Sequence, residues 1–284
     1  MLTYTLICGS VNSDEALWLN QNIAINIYLS AYPYLINVVG SKMANNVLLN
    51  SIDHQNIKVI TEHSSEYGDN LWYSPTFPSE FRSVQAYYPI FFNKDPSSGK
   101  FFAIALFGFK DQENLFLQDN KWQAGYIPLT VARQPFLIGI QKVKEDGIEK
   151  EQRVLHIDLD NPRVNQEHGE PLFLTHGGNS PYVDRAADML EAIHHGFVDS
   201  AAFIDCLVEY QLLETFTLDI TLNDETKYQM IGFYAINEDK LNALDGEVLG
   251  KLHEKGYLQA IYMAIASQAN IRTLMNKKNE LLGL

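Results

Sequence analysis

At 284 residues, 46% of them hydrophobic and only 20% charged, the chain has the apolar mass for a full core and lacks the composition of a disordered segment. Its formal net charge of −14, from 35 acidic and 21 basic side chains, repels phosphate backbones and anionic lipid, and no basic patch compensates; Lys277-Lys278 reads as the cationic end of a helix. No run of about 18 apolar residues offers a membrane span, and the apolar stretch 23–39 follows Asp14 and Glu15 with no Lys or Arg before Lys42, so neither a transmembrane helix nor a secretory signal is expected and the cytoplasm is the expected compartment.

Residues 1–42 carry three charges (Asp14, Glu15 and Lys42) and no sustained amphipathic period. Ordinary globular sequence starts at Met43, so 1–42 reads as an upstream extension of one domain spanning 43–284; an arm or strand packed on that domain is the alternative. From 43 to 155 the signals are mostly strand. Residues 57–61 form a short β-rich run, and Pro78 opens a helical turn over 79–86 with Thr76 as its cap. Residues 88–92 and 101–109 flank the turn Asp95-Pro96-Ser97-Ser98-Gly99 and predict a β-hairpin. Residues 114–117 precede a turn at 119–122. The long apolar run 126–140 is confined to edges or irregular backbone at its ends by Pro128 and Pro135. A charged turn over 144–152 leads to a strand at 154–159, and 162–180, rich in Gly, Pro, Asn and His, predicts a long loop.

Helices dominate thereafter. One is expected over 184–195, stopped by Gly196 and closed by His194-His195, whose imidazolium suits the carbonyl end of the dipole. A second, over 200–213, places Cys206 among Phe203, Leu207 and Tyr210 as a buried core thiol; Cys206 and Cys8 form no metal or redox pair. Residues 216–222 and 228–236 alternate as a hairpin around 223–225. Asn237 and Asp245 cap two helices, Gly256 ends the second, Tyr257 starts another, and Asn270 restarts it towards 282. The pattern predicts an α+β fold: an antiparallel sheet with hairpins in the N-terminal two-thirds, and helices segregated towards the C-terminal part.

Several segments follow one another in an order that resembles the SapC family, from about residue 48 to 282. They are His54-Gln55-Asn56-Ile57-Lys58-Val59, Phe77-Pro78-Ser79-Glu80-Phe81, Tyr88-Pro89-Ile90-Phe91-Phe92 and Leu106-Phe107-Gly108 with Glu113-Asn114-Leu115-Phe116. Trp122 before Tyr126-Ile127-Pro128, then Arg133-Gln134-Pro135-Phe136, continue the pattern, and the stretches 232–241 and 256–262 close it. That family usually begins where Met43 stands and is named for a gene in a bacterial surface-layer locus; the resemblance carries no catalytic residues. It implies gene clusters shared with flavin-dependent halogenase-like proteins, TonB-dependent receptors and cupin-like proteins, and so an accessory role in uptake or tailoring of a nutrient.

Among residues that carry chemistry, His156-Ile157-Asp158 has the spacing that begins a facial iron triad, but five histidines compete for the third position, and an exposed strand face is the expected role. His176-Gly177-Gly178 resembles an esterase oxyanion loop without a Gly-x-Ser-x-Gly elbow, and reads as a flexible loop. No metal or cofactor is expected. Tyr88, Asn114, Trp122 and Arg133 are the candidate binding residues, polar or amphipathic groups within aromatic, turn-rich segments. Arg133, between apolar runs, needs a carboxylate or carbonyl partner if buried; Glu80 and Glu113 are candidates for a structural pair, and a ligand pocket is the alternative. The expected function is a non-enzymatic binding or accessory protein for a protein or small-molecule ligand, not nucleic acid. The rivals are an enzyme, metal-dependent or otherwise, and a structural surface-layer protein.

Overall fold

The computed structural model describes residues 45–145 and 148–284. The expected extension or arm at 1–42, with Cys8, lies outside the described residues. In chain order, β1 (Asn46–Leu48), β2 (Lys58–Val59), β3 (Tyr73–Thr76), the helical turn α1 (Phe81–Val84), β4 (Ile90–Lys94), β5 (Phe101–Leu106), β6 (Leu117–Gln118), β7 (Lys121–Trp122) and the turn α2 (Leu129–Ala132) precede the hairpin β8 (Phe136–Glu145) and β9 (Ile148–Asp158). Short strands β10 (Val164–Asn165) and β11 (Glu170–Pro171), helix α3 (Pro181–Glu209) and the hairpin β12 (Leu213–Thr221) and β13 (Lys227–Ile236) come next. Helices α4 (Glu238–Asn242), α5 (Gly246–Glu254), α6 (Tyr257–Ser267) and α7 (Ile271–Leu282) end the chain. All strand pairs among the described residues are antiparallel and the long helices come late, so the fold is α+β as expected.

The chain divides into two compact units, one holding 45–62 with Arg133–Ala192 and the other His63–Ala132 with Ile193–Leu284. In the first, β8 and β9 pair over ten positions, from Phe136↔Ile157 to Glu145↔Ile148, and β1 adds to β9. The charged turn expected over 144–152 is instead mostly strand. Opposite charges face each other in the register, Lys142 against Glu151, and such cross-strand pairs support a solvated ladder that composition alone reads as a turn. Residues 162–180 form the expected connection, pinned by β10 and β11 on either side of β2. Gly169, at φ 106°, passes so close to β2 that a Cβ would lie 2.3 Å from the Val59 carbonyl oxygen. The buried Arg163 guanidinium donates to the carbonyls of Ile60 (3.1 Å) and Glu62 (2.5 Å), joining this connection to the end of β2.

In the second unit a five-stranded sheet has the order β12-β13-β4-β5-β3. Its inner strand β5, flanked by β4 and β3, runs into an unbroken buried stretch, 102–109, the pattern of a strand covered on both faces. Aromatic rings fill the core: Phe77, Phe81, Phe91, Phe92, Phe107, Phe116, Phe197 and Phe203 are all at most 2% exposed. The hairpin β4–β5 over Asp95–Gly99 and the hairpin β12–β13 form as predicted, the latter with a register shift between Phe216 and Leu218. Asn237 and Asp245 cap α4 and α5, accepting from the backbone N–H of Lys240 and Val248. Ser267 at the end of α6 is fully buried; its hydroxyl accepts the N–H of Ile90 (2.8 Å) and ties the helix to the start of β4.

Three expectations are corrected here. The two helices expected around Gly196 are one helix, α3, and His194 and His195 lie within it, not at its end. Gly196 is a contact residue: a Cβ would stand 2.2 Å from the Phe77 ring, so the missing side chain admits Phe77 against the helix. The run 126–140 is not one extended segment but contains α2 and a turn before β8. Lys278 is no solvated helix end; it is buried and its ammonium lies 2.5 Å from Glu113, which also accepts the Phe109 N–H at 3.0 Å. Cys206 is buried as expected, and burial pushes its thiol pKa up. No helix among the described residues is long and apolar enough to cross a membrane.

Candidate functional site

Of the four residues singled out above, Tyr88, Asn114 and Trp122 belong to the second unit and Arg133 to the first. Trp122 is placed by the β6–β7 hairpin. Its two-residue turn, Asp119-Asn120, has φ of 50° and 56°, the left-handed pair a tight primed turn requires, and so sets Trp122 opposite Leu117. The indole packs edge-on to Phe107 at 5.2 Å and donates its Nε1–H to the Tyr88 hydroxyl at 2.6 Å. Tyr88 is fully buried between Phe107 and Phe116, with ring centroids 5.1 and 4.7 Å away, and its hydroxyl donates to the Tyr126 carbonyl.

The chain of bonds continues inward. The Tyr126 hydroxyl donates to Glu80 Oε1 at 2.8 Å, the backbone N–H of Leu129 donates to the same oxygen at 2.7 Å, and the Thr76 hydroxyl donates to Oε2 at 2.6 Å. Thr76 thus serves Glu80 and is no cap of the 79–86 turn. Glu80 satisfies an N–H left over at the start of α2, so one buried carboxylate joins α1, α2 and β3. Burial pushes the Glu80 pKa up, against the three donors that favour the charged form. Burial also pushes both phenols up, the Trp122 bond opposing it at Tyr88 and the Glu80 charge adding to it at Tyr126. Both therefore stay protonated and act as donors.

At the outer end, the half-buried His63 ring meets Trp122 edge-on at 5.6 Å. His63 Nδ1 lies 3.1 Å from Oδ2 of the fully buried Asp69, which also accepts the Ser64 N–H at 3.0 Å. An accepting carboxylate oxygen requires the proton on Nδ1, so Asp69 fixes the orientation of the ring. The Asn114 amide donates to the Asp69 carbonyl at 2.8 Å, and its oxygen accepts the Phe116 N–H at 3.0 Å. Tyr88, Asn114 and Trp122 are thus brought into one cluster, buried at Tyr88, Glu80 and Asp69 and half-buried at Trp122, Tyr126, His63 and Asn114. His63 and Asp69 were missed from sequence; six positions apart in irregular backbone, they leave no periodic signal.

Arg133 is half-buried, and its guanidinium donates to the Phe136 carbonyl at 2.8 Å while the Phe136 N–H donates back to the Arg133 carbonyl at 2.8 Å. This is the carbonyl type of partner, across a turn whose Gln134–Pro135 bond is cis. Glu80 serves the network above, and Glu113 serves Lys278. The His-x-Asp segment is not an exposed face: His156 is 4% exposed and lies over Gly139, where a Cβ would stand 2.1 Å from the imidazole. Asp158 is half-buried at the strand end, and burial raises its pKa. At His176 the backbone closes a tight turn, Gly177 N–H to the Leu174 carbonyl and Leu174 N–H to the Gly178 carbonyl, both 3.0 Å. No group of three or more His, Cys, Asp or Glu suited to a metal occurs among the described residues.

A family model described as SapC matches residues 49–274. The chain belongs to the SapC family. The match contains every member of the Trp122–Tyr88–Glu80 network and of the His63–Asp69 pair, so the cluster lies inside the SapC domain and not in an appended segment. No curated protein matches this SapC-family chain. No solved structure matches it either.

Proposed function

We propose that this SapC-family chain is a non-enzymatic binding or accessory protein that engages a small molecule or a protein through the half-buried edge of the Trp122 network. One observation carries the reading: Trp122, Tyr88 and Tyr126 are fixed by a series of hydrogen bonds ending on a buried carboxylate, while the indole and Tyr126 keep part of their surface in solvent. Preorganised amphipathic rings lose little freedom on binding, which suits recognition. Phenols held protonated by burial favour recognition over acid–base chemistry. The net charge of −14 argues against a nucleic-acid partner, and the family resemblance suggests an accessory step in nutrient uptake or tailoring. The test is a fragment screen by saturation-transfer NMR on wild type and Trp122→Ala. Hits that lose their signal in the variant support the reading, and hits indifferent to Trp122 count against it.

The His63–Asp69 pair favours a second reading, an enzyme with His63 as general base oriented by Asp69. Turnover of a broad ester and amide panel that disappears in His63→Ala would replace the first reading with this one.

A further inference from the structure

A second feature of the same unit lies apart from the network. A cleft of about 290 Å³ opens between the α1 turn, α3 and the junction of α5 with α6. Its charged lining is Arg82, Lys255 and Asp199, all exposed, and its apolar wall includes Tyr257 and Met263. None of the three charged groups has an ion-pair partner among the described residues. Lys255 lies over the Tyr257 ring, its Nζ 5.8 Å from the centroid. In a chain with 35 acids and 21 bases, two cations without ion-pair partners line one concavity with a single carboxylate. The pairing is invisible in sequence because Arg82 and Lys255 come from the two separate chain segments that build the unit.

We propose that this cleft binds a small α-hydroxy or α-amino acid. Arg82 offers a planar fork matched to a carboxylate, and Lys255 adds a second positive charge. Asp199 disfavours a bare anion and instead accepts from a hydroxyl or ammonium group beside the carboxylate. Tyr257 and Met263 then cover an apolar side chain. The α1 turn divides these roles cleanly: Glu80 is buried into the network, and Arg82, two positions on, faces the cleft. The proposal does not rest on the network reading.

Calorimetric titration of the full chain tests it with four probes: L-leucine, its 2-hydroxy counterpart, 4-methylpentanoate (a carboxylate with no donor) and inorganic phosphate. Leucine or the hydroxy acid should bind, and Arg82→Ala should weaken that binding at least about tenfold, as expected for loss of a charge-assisted pair. The donor-free acid should bind more weakly in wild type, and Asp199→Ala, which removes the acceptor, should erase that difference. Both positions are exposed, and unchanged melting of the variants shows that any loss is local. The proposal fails if neither acid binds at about 10 mM, if binding survives Arg82→Ala, if 4-methylpentanoate binds as well as leucine, or if phosphate alone binds.

Discussion

Trp122 donates its indole N–H to the hydroxyl of Tyr88, and that hydroxyl donates onward to the carbonyl of Tyr126. A hairpin tip is thereby coupled to a fully buried core residue, and through Tyr126 to the buried carboxylate of Glu80. The Trp122 ring packs edge-on to Phe107, and the Tyr88 ring is held between Phe107 and Phe116. The network is thus both part of the core and the frame of the proposed binding edge.

Tyr88→Phe keeps the ring packing but removes the acceptor for Trp122 and the donor to Tyr126. Leaving part-buried polar groups unmatched costs about 1–3 kcal/mol. A urea melt of this variant should show a loss of that size with an unchanged slope, whereas Trp122→Phe, which removes a donor and leaves a hydroxyl able to reorient, should lose less.

Glu80 should make stability fall as pH rises. Below the ordinary glutamate range its carboxyl is neutral in the folded and unfolded chain alike. As pH climbs through that range to the higher folded pKa, the unfolded chain releases its proton first, so stability declines and then levels off. Glu80→Gln keeps an oxygen for Tyr126 and Leu129 and turns an amide towards Thr76. Thermal melts between about pH 4 and 8 should show a flatter profile for the variant, gaining on wild type as pH rises; parallel profiles would mean that Glu80 titrates alike in the folded and unfolded chain.

The Lys278–Glu113 pair predicts strong non-additivity. Lys278→Ala strands a carboxylate that is 7% exposed and should cost about 3–5 kcal/mol. The double change Lys278→Met with Glu113→Gln removes both charges at similar volume and should recover most of that loss in denaturant melts.

Gly196→Ala sets two effects against each other. Alanine in a helix interior is favoured over glycine by about 1 kcal/mol. Here its Cβ would fall 2.2 Å from the ring of Phe77, which is 2% exposed and has nowhere to move. Overpacking of this kind costs about 1–3 kcal/mol, so the variant should be no more stable than wild type and is expected to be less so.

Local chemistry was the legible part of the fold. Asn237 and Asp245 cap helices because a side-chain oxygen three residues from an orphan N–H needs no distant partner, and the Asp95–Gly99 hairpin turn is equally self-contained. The failures share a different cause. Gly196 reads as a helix stop unless Phe77 is known to lie against it, and Lys278 reads as solvated unless Glu113, 165 positions away, is known to meet it. The candidate site divides the same way. Tyr88, Asn114 and Trp122 stood out by residue type, but their closure through His63, Asp69 and Glu80 depends on contacts across loops that no spacing encodes.

The binding claim is tested most directly by following the indole Nε1–H resonance of Trp122 in a ¹⁵N-labelled chain, assigned with Trp122→Phe, during titration with the fragments that bind. The account predicts that this resonance moves in step with occupancy while that of Trp72 stays fixed. Saturable binding that leaves the Trp122 indole unmoved would contradict it.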